Sequence, residues 1–150
     1  MSNIKELLHK ICSEHIATTI QEIEAAIDER REAIKSDTKS SMGDKYETSR
    51  EMLQQDINMN LNRLSKVQVE EVVLQRIDSE TTTTIVTEGS LVYTNNGNFY
   101  VAISAGKLNI DGAIFYAISL SSPIGMQLKG KKEGDSFSLN NRDYNIKQIL

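Results

Sequence analysis

Two acids three residues apart, Asp44 and Glu47 in the stretch Ser41-Met42-Gly43-Asp44-Lys45-Tyr46-Glu47, are the pair in this chain whose type and spacing best suit chemistry. Mg²⁺ is commonly held through one or two carboxylates, with waters and substrate phosphates completing its octahedron. A protein that supplies only two carboxylates is not a complete enzyme, so such a pair would have to enter the active site of another. The same spacing also has a purely structural use. Asp-x-x-Glu at a helix start is a variant of the capping box, in which each side chain satisfies an orphan backbone N–H. The helix dipole favours acids there as well. The residues alone leave both uses open.

Other combinations carry less. His9 and His15 are six apart on a helical pattern and point to different faces, so with no third ligand placed nearby they do not make a zinc site. They read as surface or boundary histidines. Cys12 is the single cysteine; it has no histidine at i+4 and no Gly-rich turn to activate it, and it excludes a disulfide framework. No phosphate-cradling glycine motif is present. Lys129-Gly130-Lys131-Lys132 is a small basic cluster, either a solvated turn or a docking surface for an acidic partner.

The acid pair lies between two helical patterns. From about Lys5 to Lys35, Ile16, Ile20, Ile23, Ile27 and Ile34 follow an a/d seam with Arg30 at the missing step. Ile4, Leu7, Leu8 and Ile11 form a second apolar cluster at the near end. Six polar residues, Ser36 to Ser41, break the pattern. It resumes with Tyr46, Leu53, Ile57, Leu61, Leu64 and Val67. Two such segments joined by a short polar loop predict an antiparallel αα-hairpin with the acids near its tip. At about 1.5 Å per residue, arms of roughly 30 residues would reach about 45 Å.

Near residue 78 the composition turns to β, with Thr81-Thr82-Thr83-Thr84 marking the change. The expected domains are residues 1–77, helical, and 78–150, mostly strand. Asn95-Asn96-Gly97-Asn98 between two apolar runs predicts a hairpin. Ile110-Asp111-Gly112 and Asn140-Asn141 predict further turns. Ser122-Pro123 reads as an N-cap followed by Pro at the first helical position, opening one short helix through Leu128. The expected class is α+β, a helical hairpin followed by a five- or six-stranded antiparallel sheet with one short helix.

Charge and composition narrow the function. The net charge of −4 is uneven, −5 over residues 1–80 and +1 over 81–150. A mildly acidic chain without a basic block is poorly suited to neutralising the phosphates of duplex DNA. No apolar run approaches the roughly 18 residues of a membrane span. The start Met1-Ser2-Asn3-Ile4-Lys5-Glu6 is not that of a signal peptide, so the expected location is the cytoplasm.

Three blocks, taken in order, resemble the Gre family of bacterial transcript cleavage factors. Gly43-Asp44-x-x-Glu47 looks like the family's tip motif. Leu64-Ser65-x-x-Gln68-Val69 resembles the end of its second coiled-coil helix. Ser122-Pro123-Ile124-Gly125, with Leu128, Gly130-Lys131 and Gly134-Asp135, resembles the signature of its C-terminal, FKBP-like domain. The resemblance implies a monomeric factor, not itself an enzyme, that binds RNA polymerase through its second domain and inserts its coiled coil into the secondary channel. Asp44 and Glu47 would then support a catalytic Mg²⁺ shared with the polymerase, which would cleave backtracked nascent RNA by two-metal chemistry. No cofactor of its own is implied, and Ser122 and Pro123 would lie in the docking loop. The sequence departs from the family where Tyr46 precedes Glu47, where Thr48-Ser49 follow it, and where Ser121 precedes Ser-Pro. These departures keep a channel regulator or inhibitor without cleavage as the alternative. A prolyl isomerase is disfavoured by the absence of Trp and the few Phe; an inert coiled-coil adaptor is the remaining option.

Overall fold

The computed structural model describes the backbone of residues 4–37 and 43–150, and the side chains of 4–36 and 47–150. Helix α1 spans Ile4–Asp37 and helix α2 spans Gly43–Arg76. Six strands follow: β1 Leu91–Thr94, β2 Gly97–Val101, β3 Gly106–Ile110, β4 Ala113–Ile118, β5 Ser136–Leu139 and β6 Arg142–Ile149. A short helix α3, Pro123–Leu128, precedes β5. The protein is therefore α+β, with two long helices packed together followed by a six-stranded sheet and one short helix.

The chain forms two compact units, Ile16–Val69 and Met1–His15 with Glu70–Leu150. Their limits do not follow the change from helix to strand, because the first turns of α1 and the last of α2 belong with the sheet.

In Ile16–Val69 the seam is narrow. Ile16, Ile23 and Ile27 of α1 and Ile57 and Val67 of α2 are buried. Arg30, at the step where the isoleucine series fails, is half-buried, with its Nε 3.9 Å from Asp56 Oδ2 of α2. One part of the expected seam is displaced: Leu61 is exposed, and the half-buried neighbour is Asn60, whose Nδ2 donates to the Asp56 carbonyl at 2.9 Å. The register 53, 57, 60, 64, 67 keeps alternating steps of four and three. A leucine one place further on turns off the stripe.

In the other unit the sheet order is β3-β4-β2-β1-β6-β5. It is mixed, not antiparallel as expected, because β2 pairs parallel to β4 with Phe99 opposite Tyr116 and Val101 opposite Ile118. The expected turn at Asp111-Gly112 folds β4 back on β3, both turn residues having positive φ. β3 takes the outer edge and β4 is inserted beside β2. Hairpin signals specify neighbours in sequence and carry no information about that non-local pairing. The β5–β6 turn is likewise a two-residue loop, Asn140 and Asn141 both at positive φ, as a type I′ hairpin requires.

Side-chain alternation gives the sheet two buried faces. Val92, Phe99, Val101, Tyr144 and Ile146 form a core closed by Leu128 of α3. On the opposite face Leu91, Tyr100 and Phe115 are buried, and in the same unit Leu8, Cys12 and Leu74 of the helix ends are buried too. Polar ties accompany this packing. Lys5 is buried with its Nζ donating to the Thr81 carbonyl at 2.6 Å, and the Ser104 N–H donates to Glu70 Oε2 at 3.2 Å.

Candidate functional site

The two groups of predicted site residues fall in different units and are taken one at a time. Gly43 opens α2, so Asp44 is inside its first turn and Glu47 lies one turn on. Acids in this position are favoured by the positive end of the helix dipole. Glu47 is exposed. The side chain of Asp44, and with it the choice between capping and metal holding, lies outside the described residues. Among the described residues no group of three His, Cys, Asp or Glu converges in a way that would hold a metal ion.

The Ser122-Pro123 block is built as its residue types dictate. Ser122, extended at φ −71° and ψ 159°, is the N-cap of α3. Its Oγ accepts the Gly125 N–H at 3.1 Å and donates to the Ser119 carbonyl at 2.6 Å. Pro123 follows at the start of the helix, where a missing N–H costs nothing. Gly125 is fixed by close approach: a Cβ there would sit 2.0 Å from the Ser119 carbonyl oxygen. Sequence reading placed Gly125 in a motif but gave no such reason for it.

Beside this turn lies a groove of about 450 Å³ with Pro123, Ile124, Leu139 and Tyr116 along it and the rings of Phe99 and Tyr144 beneath. The aromatic packing is continuous. Phe99 and Tyr144 meet edge-on at 6.1 Å, and Tyr144 stacks on Phe137 at 4.9 Å. Arg142 stands exposed at the margin. The groove escaped sequence reading because its residues come from β2, β4, α3 and the β5–β6 hairpin. The only available signal was the count of aromatics in the second half.

The Cys12 thiol is fully buried, and burial, helped by the nearby Glu70, pushes its pKa up to about 11. That is the reverse of what a nucleophilic thiol needs. His9 is half-buried with Nε2 2.8 Å from the Leu74 carbonyl near the end of α2, while His15 is exposed. Burial raises the Tyr100 pKa, and its hydroxyl is buried with no hydrogen-bond partner among the described residues. In the basic cluster, Gly130 turns at φ 80° and Lys131 lies 5.6 Å over the Phe137 ring. No described helix is long and apolar enough to cross a membrane.

No protein-family model, curated protein or solved structure matches the chain.

Proposed function

We propose that this protein is a Gre-like elongation factor that binds bacterial RNA polymerase, places its helical pair in the secondary channel as a coiled coil, and stimulates cleavage of backtracked RNA. The observation that carries the reading is the position of Gly43 at the first residue of a 34-residue helix, with Asp44 and Glu47 in the first turns of the second of two long packed helices. A helix pair that buries only a narrow stripe is suited to reach into a channel rather than to build a core. The Ser122-capped turn beside an apolar groove supports an FKBP-like docking domain in the second unit. In this reading Asp44 and Glu47 bring carboxylates to a Mg²⁺ that the polymerase shares, and the polymerase performs the hydrolysis. Ser122 and Pro123 present the docking loop.

The test is a stalled, backtracked elongation complex carrying end-labelled RNA. Added protein should accelerate release of the short 3′ fragment, and Asp44→Ala and Glu47→Ala should abolish most of that gain while still binding. Fragment release at the intrinsic rate in the presence of bound protein would remove the catalytic role. The alternative of a channel regulator, favoured by the departures around Tyr46 to Ser49, predicts that same outcome together with slower nucleotide addition.

A further inference from the structure

The basic cluster and the groove beside α3 belong to one surface, joined through an aromatic stack. Lys131 lies over one face of Phe137, Phe137 stacks on Tyr144, and Tyr144 forms the floor of the groove with Phe99. Ile118, Ile124 and Leu139 are half-buried along its walls. The volume of about 450 Å³ is that of a site for one or two large side chains. The charge in its lining has one sign. Arg142 is the charged residue of the lining, no carboxylate lines it, and among the described residues none pairs with Arg142. Lys129 and Lys132 stand exposed in the turn that carries Lys131, where Glu88 feels the Lys129 charge and Asp135 Oδ2 accepts the Lys132 N–H.

Tyr116 of the lining is itself 39% exposed, and Met126 of α3 is 63% exposed. A free small molecule would leave that margin uncovered, whereas a chain segment laid along it would not. We propose that this groove is a docking site for a short segment of a partner protein that presents large apolar side chains flanked by carboxylates. The apolar side chains enter over Phe99 and Tyr144, and the acids face Arg142 and the lysine turn. Charges of this kind at a rim act mainly on choice of partner. Pro123 puts the groove on the face that the polymerase reading uses for docking, so the identity of the partner rests on that reading. The chemistry of the segment does not, and it is measured without polymerase.

The experiment follows the methyl resonances of Ile118, Ile124 and Leu139 in the full chain during titration with three acetylated, amidated tetrapeptides: Asp-Leu-Phe-Asp, Lys-Leu-Phe-Lys and Asp-Ser-Ser-Asp. The first should give saturable shifts at these methyls. The other two should bind at least about fivefold more weakly, the scale set by an exposed charge pair or a lost apolar contact. Arg142→Glu, an exposed change whose fold the same spectrum verifies, should weaken the first peptide by a similar factor. The inference is overturned if the charge-swapped or the serine peptide binds as well as the first, or if no saturable shift occurs. It is also overturned if 3-phenylpropanoate binds more tightly than the peptide, or if the methyls broaden with protein concentration alone, as a site for a second copy would. Loss of polymerase binding with these peptide results intact would reject the polymerase reading and keep this one.

Discussion

The helical unit and the sheet unit solve the burial problem in opposite ways. In Ile16–Val69 the apolar residues are spent on a stripe one side chain wide. Met52, Met59, Leu61 and Val69 stay exposed, and a charged residue, Arg30, occupies a seam position. In the sheet unit Leu91, Tyr100, Val101, Ile103 and Leu128 are at or near zero exposure, and their neighbours come from distant parts of the chain. A stripe is stabilised locally and tolerates a defect; a two-faced core is cooperative and does not.

The comparison is sharpened first by truncation. Tyr100→Ala in the sheet unit should cost about 3–5 kcal/mol, since a fully enclosed ring leaves a cavity that cannot collapse. Ile57→Ala in the helical seam should cost only about 2 kcal/mol, at the low end for its class, because the stripe is open on both sides. Urea denaturation of the two variants measures both. Equal losses would contradict the contrast. Tyr100→Phe separates ring from hydroxyl: it removes a buried hydroxyl without a partner among the described residues and should be neutral or stabilising by about 1 kcal/mol.

A smaller effect is expected at the turn beside the groove. Ser122→Ala removes the N-cap acceptor of α3 and should lower stability by about 1 kcal/mol. Because α3 contributes Leu128 to the core, the loss should appear as a lower midpoint for the whole sheet unit rather than as local fraying. Chemical-shift changes confined to residues 119–126 without a shift in midpoint would show that α3 is an independent flap.

A separate effect concerns pH. Cys12 has its pKa raised from an ordinary 9.0 to about 11, chiefly by burial. The native state therefore holds the proton where the unfolded chain has lost it. The stability this contributes is complete below pH 9 and is lost as pH rises towards 11. Tyr100, raised in the same direction, adds to the fall; Lys5, lowered chiefly by burial, opposes it. Cys12→Ala should flatten the decline measured between pH 9 and 11. In the native protein the thiol should resist iodoacetamide at pH 8 and react once urea unfolds the chain. Rapid alkylation of the folded protein at pH 8 would show that the helix ends open.

Local signals made much of this fold legible. The isoleucine spacing gave α1, Asp111-Gly112 and Asn140-Asn141 gave turns that need positive φ, and Ser122-Pro123 gave the cap and first residue of α3. What escaped was non-local. The parallel β2–β4 pair, the burial of Lys5 against the Thr81 carbonyl, and the need for Gly125 opposite Ser119 all depend on residues brought together by the chain's return. The apolar pattern puts Leu61 on the seam, while the geometry of steps of three and four puts Asn60 there. Of the candidate site, the order of the acid pair and the Ser-Pro turn could be read along the chain. The groove could not, because its lining runs from Asn96 to Tyr144 and is gathered only by the fold.

Binding to RNA polymerase is a proposal, and one measurement tests it directly. Immobilised bacterial RNA polymerase core should retain the purified full chain in a saturable manner. A Pro123→Ala, Tyr116→Ala double variant that keeps the fold should be retained at least about tenfold more weakly, the scale of one or two lost interface contacts. Absence of retention of the unmodified chain, at concentrations well above micromolar, would contradict the account.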